Sequence, residues 1–148
     1  LYQKKQNFSK LEIIEFSILF IILNYANIAS NKIEELSQLN FFSKKNNDLK
    51  NEIIKFLTTE NDINSLKSNI NESYNDLLKE IQEFSNVQII LKGKNTVQIT
   101  EFLDELIIDF KEQNNLKKIE SLEKKLINNL DETSYSELIE LKSQLNRD

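Results

Sequence analysis

The chain has no cysteine, histidine, methionine, proline or tryptophan, and a single glycine, Gly93. Without cysteine there is neither a disulfide framework nor a thiol nucleophile, a composition that suits a reducing cytosol, so a cytoplasmic protein is expected. Without histidine the commonest general base and metal ligand are missing. A carboxylate-bridged di-metal bundle needs Glu-x-x-His pairs and cannot be built. One glycine cannot form a phosphate-cradling loop. The scarcity of Gly and Pro also removes the turn punctuation that all-β and α/β folds require, which leaves helices as the default.

What remains is 148 residues, enough for one domain with a real core plus a small appendage. The net charge is −5. An acidic chain is repelled by a polyanion, so no direct nucleic-acid binding is expected. The most apolar run, "IIEFSILFIIL" from Ile13 to Leu23, contains Glu15 and is too short for a bilayer. It reads as a buried helix, and no membrane association is expected. The chain opens on Leu1 rather than Met, as a segment cut from something larger would, and Leu1 to Asn7 has the look of a linker.

Ser9-Lys10-Leu11-Glu12 has the spacing of a capping box and opens a helix over about 10–25 that is apolar nearly all round, as befits the centre of a bundle. Asn31 and Glu34 repeat the cap spacing before a short helix with Ile33, Leu36 and Leu39 on one side. Phe41 and Phe42 are expected to plug the bundle. Leu49, Ile53, Phe56 and Leu57 predict a helix over about 46–58, and Asp62 a cap for a short fourth helix with Ile63, Leu66 and Ile70. Tyr74, Leu77, Leu78, Ile81 and Phe84 predict a fifth over about 72–84. The β-prone "VQIIL" next along the chain has no partner strand, so it reads as the end of the fifth helix or a short extra turn, stopping at Gly93 in a left-handed cap.

From about Thr96 the helical pattern runs through Val97, Ile99, Phe102, Leu103, Leu106, Ile107 and Phe110 into Leu116, Ile119, Leu122, Leu126 and Leu130. Unbroken, that helix has ~35 residues and spans ~50 Å. Apolar density falls between Lys111 and Asn115, which sets the expected organisation: residues 1–8 a linker, 9–111 a helical bundle subdomain, 112–148 a C-terminal helical hairpin. Ser134-Tyr135-Ser136-Glu137 has the spacing of a second capping box at the hairpin turn. The fold class expected is therefore all-α: a bundle, a long helix and a terminal hairpin.

Catalytic candidates are few. Glu101 with Glu105, or Asp104 with Asp109, could pair carboxylates, but they fall on the polar face of an amphipathic helix, where such groups simply solvate the surface. No cofactor or metal is expected, and the chain is not expected to be an enzyme. The hairpin carries the more telling signal. Leu138, Leu141 and Leu145 form a narrow seam, whereas Tyr135, Ile139 and, on the first arm, Ile127 are displaced from it. Two short helices bury little, so spare apolar residues ask for a partner; the alternative is that the hairpin folds back onto the bundle. The partner-binding candidates are Ile127, Leu130, Tyr135, Leu138, Ile139, Lys142 and Asn146. Isolated, the chain is expected to be a monomer or to self-associate weakly.

The order of parts resembles a known family. "IEELSQLNFFSKKNNDLKNEIIKFL", Ile33 to Leu57, is similar to a stretch in the C-terminal helicase-binding domain of bacterial DnaG-type primases, where "E-L-x-x-L-x-F" precedes "L-x-x-x-I/L-x-x-x-L". The closing "KIESLEKKLINNLDETSYSELIELKSQLN" resembles that family's terminal hairpin, and the resemblance covers nearly all of residues 8–148. One departure is "NYANIAS" where the family often has a Pro after its first helix. The resemblance implies a bundle subdomain plus a hairpin that grips the N-terminal domain of the replicative DnaB-type helicase, with zinc-binding and polymerase modules upstream. The residues by themselves equally fit a helical adaptor or homo-oligomerisation module.

Overall fold

The computed structural model describes residues 8–59, 62–128 and 132–145. Among these the protein is all-α, with no strand. The helices are α1 Lys10–Asn24, α2 Ala26–Ser30, α3 Ile33–Ser37, α4 Lys44–Thr59, α5 Asn75–Phe84, α6 Val87–Leu91, α7 Thr96–Asn128 and α8 Glu132–Leu145. The chain divides into two compact units, Leu1–Ile107 and Ile108–Asp148. That division falls four residues earlier than the thinning of apolar residues at Lys111 suggests, and α7 passes through it as one helix of 33 residues.

The first unit is organised around α1. Its capping box is formed: the Glu12 N–H donates to Ser9 Oγ at 3.1 Å and the Ser9 N–H to Glu12 Oε1 at 3.2 Å. Every residue from Ile14 to Leu23 is buried, Glu15 and Ser17 included. Helices α2, α4, α5 and α6 all pack against α1. A helix covered on all sides has no polar stripe, which is why its sequence shows none. Phe8, expected in a linker, belongs to this unit: its ring meets Phe16 and Phe84 edge-on, with centroids 4.9 and 5.0 Å apart. Leu1–Asn7 lies outside the described residues.

Several local expectations are corrected. Asn31 closes α2 rather than capping α3, whose own N-cap, Lys32, makes no side-chain cap bond. Tyr25, with φ −132° and ψ 65°, makes the turn where a Pro was missing. Asp62 does cap, accepting the Asn64 N–H at 3.2 Å, but the segment after it forms 3-10 turns at Ile63–Ser65, Lys67–Asn69 and Glu72–Tyr74, not an α-helix. Helix α5 therefore begins at Asn75. Residues 87–91 are helical and stand between two left-handed residues, Asn86 at φ 57° and Gly93 at φ 78°. α7 opens with a reciprocal cap in which the Asn95 N–H donates to Gln98 Oε1 at 3.0 Å and the Gln98 N–H to Asn95 Oδ1 at 2.9 Å. α8 already starts at Glu132, so Ser134 falls inside the helix rather than at the cap position expected of it.

Candidate functional site

In the second unit the pattern of leucines decides what is covered. Ile119, Leu122 and Leu126 on α7, and Leu138, Leu141 and Leu145 on α8, share the same +3, +4 spacing, so each set lines one narrow stripe. Ile119, Leu122 and Leu138 are buried against one another, with Leu126, Leu141 and Leu145 packed partly covered around them. This is the seam of the hairpin. Leu138 is thus corrected as a partner-binding candidate: at 6% exposure it is core.

A second pair of stripes lies beside the seam. On α7 it consists of Leu116, Glu120, Glu123 and Ile127, on α8 of Tyr135, Ile139 and Lys142. At 100° per residue these positions sit roughly 70–130° from the seam in the same rotational sense. In two antiparallel helices equal displacements point to the same side. The Lys142 Nζ to Glu123 Oε2 contact of 3.1 Å bears this out, since the two residues could meet only if the stripes share a face. On that face Ile127 is 82% exposed, Tyr135 56%, Ile139 51% and Leu116 43%. The structure therefore brings Ile127, Tyr135, Ile139 and Lys142 together; Leu130 and Asn146 lie outside the described residues. Leu116, Glu120 and Glu123 were not among the sequence candidates, although the +4, +3, +4 recurrence was there to be read.

The first unit offers other chemistry, and it is structural. Glu15 is fully buried and accepts from the Phe42 N–H at 2.5 Å, Asn46 Nδ2 at 2.8 Å and the Ser43 N–H at 3.4 Å. Its carboxylate thereby caps the start of α4. Burial pushes Glu15 above the usual carboxylate range, against the opposing pull of those donors. Lys50, at 1% exposure, donates to the Leu36 carbonyl at 3.1 Å and Asn51 Oδ1 at 3.1 Å and lies 5.6 Å from the centre of the Phe41 ring. Desolvation lowers its pKa. Phe41 is buried as expected, whereas Phe42 is 59% exposed: the grip of Glu15 on its amide fixes the backbone with Phe41 inward.

Among the carboxylates considered for catalysis, Asp104 pairs with Lys32 at 2.9 Å, a contact that holds the Lys32 pKa up. No group of described residues could hold a metal ion. Two shallow apolar clefts of about 190 and 180 Å³ flank Ile70, one floored by Phe20, Leu23 and Ile81, the other by Phe56 and Leu66. Among the described residues no helix is long and apolar enough to cross a membrane. Compared with protein-family models, curated proteins and solved structures, the chain finds no match in any of the three.

Proposed function

We propose that this domain is a non-catalytic docking module that binds the N-terminal domain of a replicative DnaB-type helicase, in the manner of the helicase-binding domain of bacterial primases that its sequence resembles. On this reading it acts in the cytoplasm, recruits primase to the replication fork, and modulates the activities of both enzymes. The observation that carries the reading is the hairpin face on which Ile127, Tyr135 and Ile139 are each more than half exposed. Large apolar side chains grouped on one face, flanked by a charged pair, have the anatomy of an interaction surface with a polar rim. The order of motifs from Ile33 to Leu57 and the terminal hairpin supply the nature of the partner.

The test is a calorimetric titration of the helicase N-terminal domain with the chain and with Ile139→Glu. The variant should melt as the parent does, because surface substitutions rarely exceed ~0.5 kcal/mol. It should bind at least about tenfold more weakly, since a charge enters a desolvated apolar contact. Binding by the parent should fall less than about tenfold between low and physiological salt, as exposed pairs contribute little. Absence of heat with the parent chain, or full affinity in the variant, overturns the reading.

A further inference from the structure

We infer that the same hairpin face also pairs with a second copy of this chain, two-fold symmetrically, and that this pairing regulates access of the partner; the regulatory half rests on the docking reading, the pairing itself does not. Charge decides how two copies can meet. The α7 stripe reads apolar, acidic, acidic, apolar through Leu116, Glu120, Glu123 and Ile127, and the α8 stripe reads apolar, apolar, basic through Tyr135, Ile139 and Lys142. Two such faces can approach about a two-fold axis in two ways. With the axis across the helices, α7 lies on its own copy and Glu120 and Glu123 face each other, which like-charge repulsion disfavours.

With the axis along the helices, α7 of one copy lies over α8 of the other. Ile127 then falls on Tyr135 and Ile139, while Glu120 and Glu123 fall near Lys142. Each contact occurs twice, as an isologous interface requires, and the product is an antiparallel four-helix bundle. Lys142 and Glu123 are each only about half exposed and already paired within the hairpin, at 53% and 48%, so the second copy would extend an existing pair into a network rather than desolvate a lone charge. The face is only about three turns deep on each helix. The interface is thus below the standard size, and the dimer should be weak, with a dissociation constant on the order of 100 µM.

The experiment is sedimentation equilibrium on the whole chain from about 5 to 500 µM, where mass action exposes a weak dimer. The apparent mass should rise from 17.4 kDa towards twice that value. Lys142→Glu alone and the double variant Glu120→Lys, Glu123→Lys alone should each weaken self-association about tenfold or more, because each places like charges together. Mixed in equal amounts they should pair again, since both halves of the mixed interface become complementary. Ile139→Ser, an exposed site, serves as the measurement if the charge reversals loosen the hairpin, and it too should leave a monomer. A parent chain that stays monomeric throughout, or a dimer that Ile139→Ser leaves intact, overturns the inference. Adding the helicase N-terminal domain separates the two readings. Binding without self-association removes this inference alone, self-association without binding removes the docking reading alone, and a dimer that dissociates as helicase binds supports the regulatory half.

Discussion

The backbone N–H of Phe42 donates to Glu15 Oε2 at 2.5 Å across 27 residues of chain, and so ties the entry of α4 to the middle of α1. Because burial holds the folded pKa of Glu15 above its ordinary value of 4.5, the folded state keeps this proton at pH values where the unfolded chain has lost it. The stability this confers is full below about 4.5 and declines as pH rises through the folded value. Thermal melts should therefore show the parent losing stability relative to Glu15→Gln as pH rises from ~4 to ~7. Glu15→Ala, which strands three donors, should cost on the order of 3 kcal/mol. A parent-to-Gln difference that does not change with pH would mean the carboxyl titrates alike in both states.

That contact also marks the boundary of what local sequence could tell. Ser9 and Glu12 are three residues apart, so their cap was legible, as were the +3, +4 leucines of the seam. Glu15 reads only as a charge interrupting an apolar helix until a segment 27 to 31 residues away folds over it, and the choice between Phe41 and Phe42 depends on that same grip. The expected helix after Asp62 failed for a local reason. Ser65 Oγ donates to the Asp62 carbonyl, Asn69 Nδ2 to the Ser65 carbonyl, and Asn71 accepts from Ser73, so short polar side chains bond the backbone there and favour 3-10 turns. On the hairpin the exposed stripe was half legible, because its apolar members stood out and its central acids looked like solvated surface.

Among the described residues Lys50 has no carboxylate partner, its charge met by a carbonyl, an amide oxygen and the ring of Phe41. Its lowered pKa means the folded state gives up the proton before the unfolded chain does, so stability should rise with pH from the folded value up to about 10.5. Lys50→Met keeps the stem and removes the desolvated charge, and should change stability by less than about 1.5 kcal/mol. The alkaline rise should vanish with it. Urea melts of both proteins between pH 8 and 10.5 check this, and an equal slope in the variant would show that other groups carry the dependence.

Ser85 Oγ is buried with no partner among the described residues, and the Ser85 carbonyl receives only a long 3.4 Å contact from Ser17 Oγ. Ser85→Ala removes the unpaired hydroxyl without opening a large void. It should stabilise the protein by about 1 kcal/mol, read as a higher melting midpoint. A loss of stability would reveal a bond that this hydroxyl makes.

Leu138 and Ile139 are neighbours in sequence with opposite fates, one at 6% exposure and the other at 51%. Leu138→Ala should cost about 2–3 kcal/mol and speed amide exchange across residues 116–145, since the seam has few other buried side chains. Ile139→Ala should leave exchange unchanged within the ~0.5 kcal/mol typical of surface sites. Equal effects would place Ile139 in the interior of the folded chain.

The central position of α1 carries a cost during synthesis. It leaves the ribosome as an almost wholly apolar helix, yet its cover includes α5 and α6, and about 50 residues separate Asn24 from Asn75. At ~5–20 residues per second that delay is roughly 3–10 s. For that interval the nascent chain can lay only α2 and α4 on α1, so the part of its apolar surface that α5 and α6 cover in the folded protein stays exposed, as in a client for ribosome-associated chaperones. Nascent fragments ending before Asn75 would accordingly be the aggregation-prone species, and slower translation through residues 25–75 would prolong the hazard rather than relieve it.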